Sequence, residues 1–329
     1  MPGGKMKAVF GLSRTLSFFK GKSVSETVNA MKKLGVNAVF GVHEDRELSQ
    51  ALQKAGIRVY AEIGLFSGPE RWEEHPEARP ITAAGIPIEK DKWYGGLCPN
   101  QEWLRKEKLD LVRKLAEECD VDGVWLDFIR YSCHWEVKEP RIEQNCFCPV
   151  CLKLFQEESG IAIPGEIGNV KAKAEWILAN HRDRWTSFKC RRIEGFVEAC
   201  RAVLKKSKPR AVLGIFGVPW VESDYGNAIQ EVIAQDYAAL GKSADVFSPM
   251  CYHRMCGRDV KWISAVTKEI YRKTGKPCAP IIQAAEVPKE EFVQALESAL
   301  ADPSSGVIVF NMRNLKGDLL DAFAACRLK

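Results

Sequence analysis

The densest chemistry in this chain lies between Val121 and Glu136, in Val-Asp-Gly-Val-Trp-Leu-Asp-Phe-Ile-Arg-Tyr-Ser-Cys-His-Trp-Glu. Val124, Leu126 and Phe128 read as a buried strand, yet Asp127 interrupts that apolar run. An ionised carboxylate in a dry core costs several kcal/mol unless it is paired or opens onto a cavity. Arg130, Tyr131, His134 and Glu136 follow within nine residues. Asp127 is therefore either half of a buried ion pair with Arg130 or part of an active-site rim.

A second constellation is Cys146-Phe-Cys-Pro-Val-Cys151. Three thiolates at this spacing can converge on one tetrahedral zinc, which needs a fourth ligand from elsewhere. Cys98, in Gly96-Leu-Cys-Pro-Asn100, is the first choice, with Cys133 and His134 as competitors. Four thiolates close the coordination shell, so such a zinc is structural. It would staple the segment after the fourth strand to the long loop after the third. Glu143, Glu157 and Glu158 flank the cysteines, where a nucleic-acid-binding zinc ribbon would carry Lys and Arg. The remaining cysteines are scattered and read as small core residues.

These residues must be positioned by regular elements. Apolar runs at 8–12, 37–42, 57–65, 123–130, 211–218, 245–250, 279–284 and 306–310 alternate with helical patterns at 23–34, 45–55, 102–119, 170–206, 225–240, 261–274, 289–301 and 318–326. Eight continuously apolar strands alternating with helices require a parallel sheet buried on both faces. At 329 residues the closed (β/α)8 barrel fits best. An open doubly wound sheet is second, because the first strand-to-helix loop lacks a Gly-x-Gly-x-x-Gly cradle. The expected layout is one barrel domain over 1–329, a long loop at 66–100 and a Cys-rich zinc-binding insertion at 132–168.

Composition sets further bounds. Apolar content of 46% and charged content of 28% are ordinary for a globular chain. The net charge of +5 is spread along the sequence, which argues against a nucleic-acid partner. There is no signal-peptide core at the N-terminus and no apolar run long enough to span a membrane. With 12 cysteines, a cytoplasmic protein with reduced thiols is expected. Oligomeric state is not legible.

Barrel enzymes draw catalytic groups from the carboxyl ends of several strands. Here those ends offer Ser13, Arg14, His43, Glu44, Glu62, Asp127, Arg130, Tyr131, Trp220, Glu222, Tyr252, His253, Arg254, Gln283, Glu286, Asn311 and Arg313. Carboxylates, aromatics and amide or guanidinium donors suit a polyhydroxylated ligand. No strand end presents the two-His, one-carboxylate set of a catalytic metal.

Asp122-Gly-Val-Trp-Leu-Asp-Phe-Ile-Arg-Tyr131 resembles the fourth-strand signature of the family 10 glycosylhydrolase-like TIM barrels, and Ser248-Pro-Met-Cys-Tyr-His253 their sixth-strand motif. Cys98-Pro-Asn followed by Cys146, Cys148 and Cys151, with His75-Pro76 ahead of them, is similar to the zinc site of the family 42 β-galactosidases. The resemblance implies a TIM barrel acting on glycosides, with Asp127 at the position of a catalytic carboxylate. The family 42 enzymes carry an Asn-Glu pair at the end of the fourth strand, where this chain has Leu126-Asp127, so their mechanism does not transfer directly.

The expectation is a glycoside hydrolase using two carboxyl groups, one ionised and one protonated. Asp127, beside the Arg130 cation, is assigned the ionised role. Glu286, flanked by Ala285 and Val287, is assigned the proton donor, with Glu136 and Glu222 as alternatives and Glu62 as a supporting partner. Trp125, Trp220, Tyr252 and His253 are expected to line the sugar site, Arg130, Tyr131, His134 and Glu136 to bind substrate, and Trp72 and Trp93 to cap it. The competing expectations are a barrel that binds saccharide without cleaving it, and a non-glycosidic barrel enzyme.

Overall fold

The computed structural model describes residues 4–91 and 93–328. The outermost positions of the expected 1–329 domain therefore lie outside the described residues. In chain order the elements are β1 (Met6–Val9), α1 (Val24–Lys33), β2 (Ala38–Phe40), α2 (Arg46–Lys54), β3 (Arg58–Gly64), α3 (Pro69–Glu74), α4 (Glu102–Glu118) and β4 (Gly123–Asp127). Then come α5 (Pro149–Ser159), α6 (Val170–Asn180), α7 (Arg182–Ser207), β5 (Val212–Gly217), α8 (Ala228–Glu231), α9 (Tyr237–Leu240) and β6 (Val246–Cys251). The chain closes with α10 (Lys261–Thr274), β7 (Ile281–Gln283), α11 (Lys289–Leu300), β8 (Gly306–Phe310) and α12 (Asp318–Ala325).

The eight strands form one closed parallel barrel in sequence order. Closure is made by β1 against β8, where Met6 pairs Gly306 and Val9 pairs Val309. This is the (β/α)8 architecture, and the strands are apolar throughout because helices cover the outside while side chains fill the inside. Phe40, Tyr60, Trp125 and Phe216 meet inside the barrel, with Tyr60 and Trp125 ring centres 4.4 Å apart. Trp125 reaches across because β5 carries Gly214 opposite it in register, and a methyl group there would overlap the indole. Its Nε1 donates to Ser248 Oγ on β6 at 3.1 Å.

Helix starts follow local chemistry. Ser23 caps α1 through a reciprocal capping box, its Oγ accepting from Glu26 N at 3.2 Å while Ser23 N donates to Glu26 Oε2 at 2.7 Å. Asp45 caps α2 by accepting from Leu48 N.

Strand ends are trimmed, with β1 stopping at Val9 and not at the expected Leu12, and three further elements differ through backbone conformation. The 170–206 helix is two helices, broken at His181, whose φ of −142° leaves the helical region. The 225–240 helix is reduced to short pieces because Tyr225, Asn227 and Ala234 take positive φ. The fourth strand ends at Asp127 instead of Arg130, because Phe128 turns to φ +50°.

Candidate functional site

The turn at Phe128 sets the site. A left-handed phenylalanine is strained by on the order of 1–3 kcal/mol, and such strain persists only where surrounding structure imposes it. Phe128 N donates to Asp127 Oδ1 at 2.7 Å, and Leu65 N donates to Asp127 O at 3.0 Å. The carboxylate is thereby held at the carboxyl end of β4. Asp127 pairs in register with Gly64 of β3, and Glu62, two residues back, shares its face with Gly64.

Burial raises both Asp127 and Glu62 well above the ordinary carboxylate range. For Glu62 the neighbouring Asp127 charge adds to the effect, while Lys108 opposes it weakly. For Asp127 the Phe128 N–H and the Arg130 charge pull down, yet desolvation is larger. The expectation that Arg130 would hold Asp127 at ordinary acidity is thus corrected. Arg130 is fully buried and aims its Nη1 at Cys133 O (2.7 Å) and Tyr94 OH (3.1 Å). No carboxylate lies within ion-pair distance of it among the described residues, and its Nε and Nη2 have no protein partner. The buried Asp127–Arg130 ion pair is therefore absent.

Glu136 completes the cluster. It is 8% exposed, its Oε2 has no hydrogen-bond partner, and burial pushes it up to about 7 against the opposing pull of Arg130. Tyr252 is buried nearby, and both Asp127 and Glu136 add to the rise that burial imposes on its hydroxyl. Trp135 stacks on Tyr252 (6.0 Å, 16°), Tyr252 meets Phe310 (5.2 Å), and Phe310 meets Phe10 (5.2 Å). An arc of aromatics thus runs beside three carboxyl groups at the strands' carboxyl ends. Phe10, Trp135 and Phe310 were missed in the sequence. The signal was present, since Phe10 follows β1 and Phe310 ends β8, but the first strand was expected to run to Leu12.

The other expected residues are placed as follows. Glu286 is exposed on the loop after β7, so the apolar surround that would make it a donor is missing. Trp125 is a buried barrel-wall residue and Trp220 is packed against Tyr225 at 2% exposure, so neither presents a free ring face. Tyr131 is buried and accepts from Asn100 Nδ2 at 2.8 Å, pointing toward the cysteines and not the mouth. His253 is buried with Nε2 2.8 Å from Glu291 Oε1. His134 is half-buried and pairs with Asp91 at 2.8 Å on the wall of a neighbouring cleft. Glu222 pairs with Lys273, away from the cluster.

The cysteines converge. Sγ atoms of Cys98, Cys146, Cys148 and Cys151 all lie within 4.8 Å of one another, and all four residues are buried. Cys98 Sγ is 3.6 Å from Cys148 Sγ and 3.5 Å from Cys151 Sγ. Tetrahedral zinc with sulfurs at about 2.3 Å would space them about 3.8 Å apart, so the donor set fits that ion. Hydrogen bonds from the other three cysteines pull the Cys148 thiol far down, while Cys98 and Cys151 are pushed up. Asn100 Nδ2 donates to Cys151 Sγ at 3.2 Å as well as to Tyr131, the kind of outer support that orients a ligand. The competitors are elsewhere: Cys133 Sγ faces Arg141 O, and His134 is with Asp91.

The raised carboxyls carry a stability consequence. A carboxyl whose folded pKa exceeds its unfolded value binds more protons in the native state, so stability falls as pH rises through that window. Glu62 begins from an ordinary value of 4.5 and is raised far above it. Glu62→Gln removes that cost. We expect its thermal midpoint to exceed wild type by several degrees at about pH 8 and to match it at about pH 4.5, measured by calorimetry. Equal midpoints at both pH values would mean that Glu62 is not held in a desolvated, high-affinity state.

No protein-family model matches this chain, and no curated protein does. Solved structures do. The glycoside hydrolase domain of PgaB (BpsB) from Bordetella bronchiseptica aligns with 98% of this chain and 99% of its own, at 14% identity and a TM-score of 0.70. The catalytic domain of β-amylase from Paenibacillus polymyxa aligns over 97% and 96%, at 13% identity and a TM-score of 0.65. Gan42B, a family 42 β-galactosidase from G. stearothermophilus, aligns over 97% of this chain at 12% identity and a TM-score of 0.65. This chain spans 55% of that protein's length. Among the described residues no helix is long and apolar enough to cross a membrane. Sequence-level kinship is thus not established, but the fold is the eight-stranded parallel barrel of these glycoside hydrolases.

Proposed function

We propose that this protein hydrolyses glycosidic bonds of an oligo- or polysaccharide, with Asp127 and Glu136 as the two working carboxyl groups. The observation that carries the reading is the gathering of Glu62, Asp127 and Glu136 beside an aromatic arc at the barrel's catalytic end. All three have proton affinities raised by burial. Pairs of carboxyls whose environments separate their pKa values supply the acid and the base of such a reaction. Glu136 gives its proton to the leaving oxygen as the glycosidic C–O bond breaks. Asp127 takes a proton from the attacking water or itself bonds the anomeric carbon, the choice depending on the carboxyl separation. Glu62, on the adjacent strand, is itself raised by burial and by the Asp127 charge, so it stays protonated and leaves Asp127 as the one ionised member of that pair. Glu286, exposed and distant from this cluster in environment, is replaced as donor.

In the same reading, the four cysteines hold a structural zinc. With all four positions taken by sulfur, the ion activates no water and staples the loop after β3 to the segment after β4. Reduced thiols throughout fit a cytoplasmic protein, consistent with 12 unpaired cysteines.

The test is turnover of a panel of aryl glycosides and natural oligosaccharides across about pH 4–9 by wild type and Glu136→Gln. The expected profile is a bell whose basic limb falls near about pH 7, with an acidic limb above the ordinary carboxylate range. In Glu136→Gln, substrates with poor leaving groups should slow by about 10²–10³-fold, and activated aryl glycosides much less. Saccharide binding without turnover on any substrate would favour the non-catalytic barrel instead. A basic limb unmoved by Glu136→Gln would remove Glu136 from the chemistry.

A further inference from the structure

A cleft of about 720 Å³ opens between the loop after β3 and the segment after β4. Its volume is in the range of ligand-binding sites. Its walls come from both segments, which are tied together by Thr82 bridging to Asn145 and by Ala83 N donating to Gln144 O at 2.9 Å. The cleft is built next to the carboxyl cluster. Tyr94, on its wall, stacks on Phe128 (5.8 Å, 24°), the residue that turns the chain at Asp127. The Tyr94 hydroxyl also receives Arg130 Nη1. Trp93 is 48% exposed and meets two residues of the cleft wall, His134 edge-on at 5.5 Å and Tyr94 at 5.7 Å. On the other side Trp72 is held by the Arg79 guanidinium, 3.7 Å from its ring centre.

The lining decides the ligand's chemistry. The lining sets Glu89, Asp91, Glu139 and Glu143 against Lys90 and Arg141, an acidic balance that disfavours a polyanion. One exposed indole beside these hydrogen-bonding side chains suits a polyhydroxylated chain that carries no strong negative charge. We infer that this cleft is a saccharide-binding extension of the site at Asp127, in which Trp93 stacks a sugar several units from the bond being cleaved. The inference rests on the glycosidase reading above. It makes the substrate a chain of several sugars, gripped along its length, and not a monosaccharide cap.

The experiment compares disaccharide with hexasaccharide in three series, malto-, cello- and β-1,4-galacto-oligosaccharides, for wild type and Trp93→Ala. In wild type, kcat/KM should rise by about tenfold or more from dimer to hexamer, the worth of one well-stacked ring plus its burial. Trp93→Ala should erase most of that gain, lowering kcat/KM for the hexamer about tenfold and for the dimer much less. A hexamer no better than the dimer, or a gain that survives Trp93→Ala, overturns the inference. If none of the probes and no aryl glycoside is cleaved, the glycosidase reading fails by itself. Calorimetric binding of the same hexamers then decides the cleft. Binding that weakens about tenfold in Trp93→Ala upholds a saccharide site, and no binding, or binding indifferent to Trp93, rejects it.

Discussion

Asp127→Asn should reduce glycoside turnover by about three orders of magnitude or more while the barrel and the cysteine cluster remain intact. The size follows from the role. A carboxylate that bonds the anomeric carbon or removes the proton of the attacking water acts only in the transition state, and losing it forfeits both charge and basicity. The substitution is nearly isosteric, and the amide oxygen of the replacement side chain can accept the Phe128 N–H that Asp127 accepts at 2.7 Å. Because Asp127 is desolvated, the neutral amide should also be slightly stabilising at neutral pH, by the same linkage that applies to Glu62. The combination is diagnostic. Loss of activity with unchanged or raised thermal stability places Asp127 in the chemistry. Loss of both would make it a structural residue, and retained activity would remove it from the mechanism.

Breaking the cysteine cluster should have the largest structural effect. Cys148→Ser, or stripping with a strong chelator, is expected to lower zinc from about one ion per chain to near zero. It should destabilise the protein by several kcal/mol, because metal binding energy in such a site is folding energy. The damage should begin locally, with the 66–100 loop and the 132–168 segment becoming cleavable by protease before the barrel unfolds. It should also reach the active site. Cys151 Sγ and Tyr131 OH share the Asn100 amide, Tyr131 adjoins Arg130, and Arg130 is locked to Tyr94 and Cys133. Activity should therefore fall together with zinc content and return on reloading. A protein that purifies without zinc, or whose stability is indifferent to Cys148→Ser, would mean that the four thiols are only a packed cluster.

Much of this could be read from the chain. Apolar runs separated by amphipathic helical patterns demand a parallel sheet covered on both sides, and eight of them close a barrel. The Cys-x-Cys-x-x-Cys spacing marked three metal-ligand candidates, because short spacing alone brings those thiols together. Asp127 stood out because a carboxylate in a strand has to be explained. Strand ends were less legible. Positive φ at Phe128 stops β4 three residues early, and early termination of β1 moves the rim from Ser13 and Arg14 to Phe10.

What only the tertiary structure decided is the electrostatics. Glu286 has the apolar sequence neighbours that would raise a carboxyl, yet its loop leaves it in solvent. Glu136, whose sequence neighbours Trp135 and Val137 are equally apolar, is buried instead, within reach of the Arg130 charge and of Tyr252. Proton affinity follows the three-dimensional dielectric and the charges within a few ångströms, and neither is a property of adjacent residues. Likewise Trp125, two residues before Asp127, packs inside the barrel because Gly214 on the neighbouring strand makes room for it. Periodicity and spacing determine which elements form and which residues are available for chemistry. Long-range packing decides which carboxyl keeps its proton.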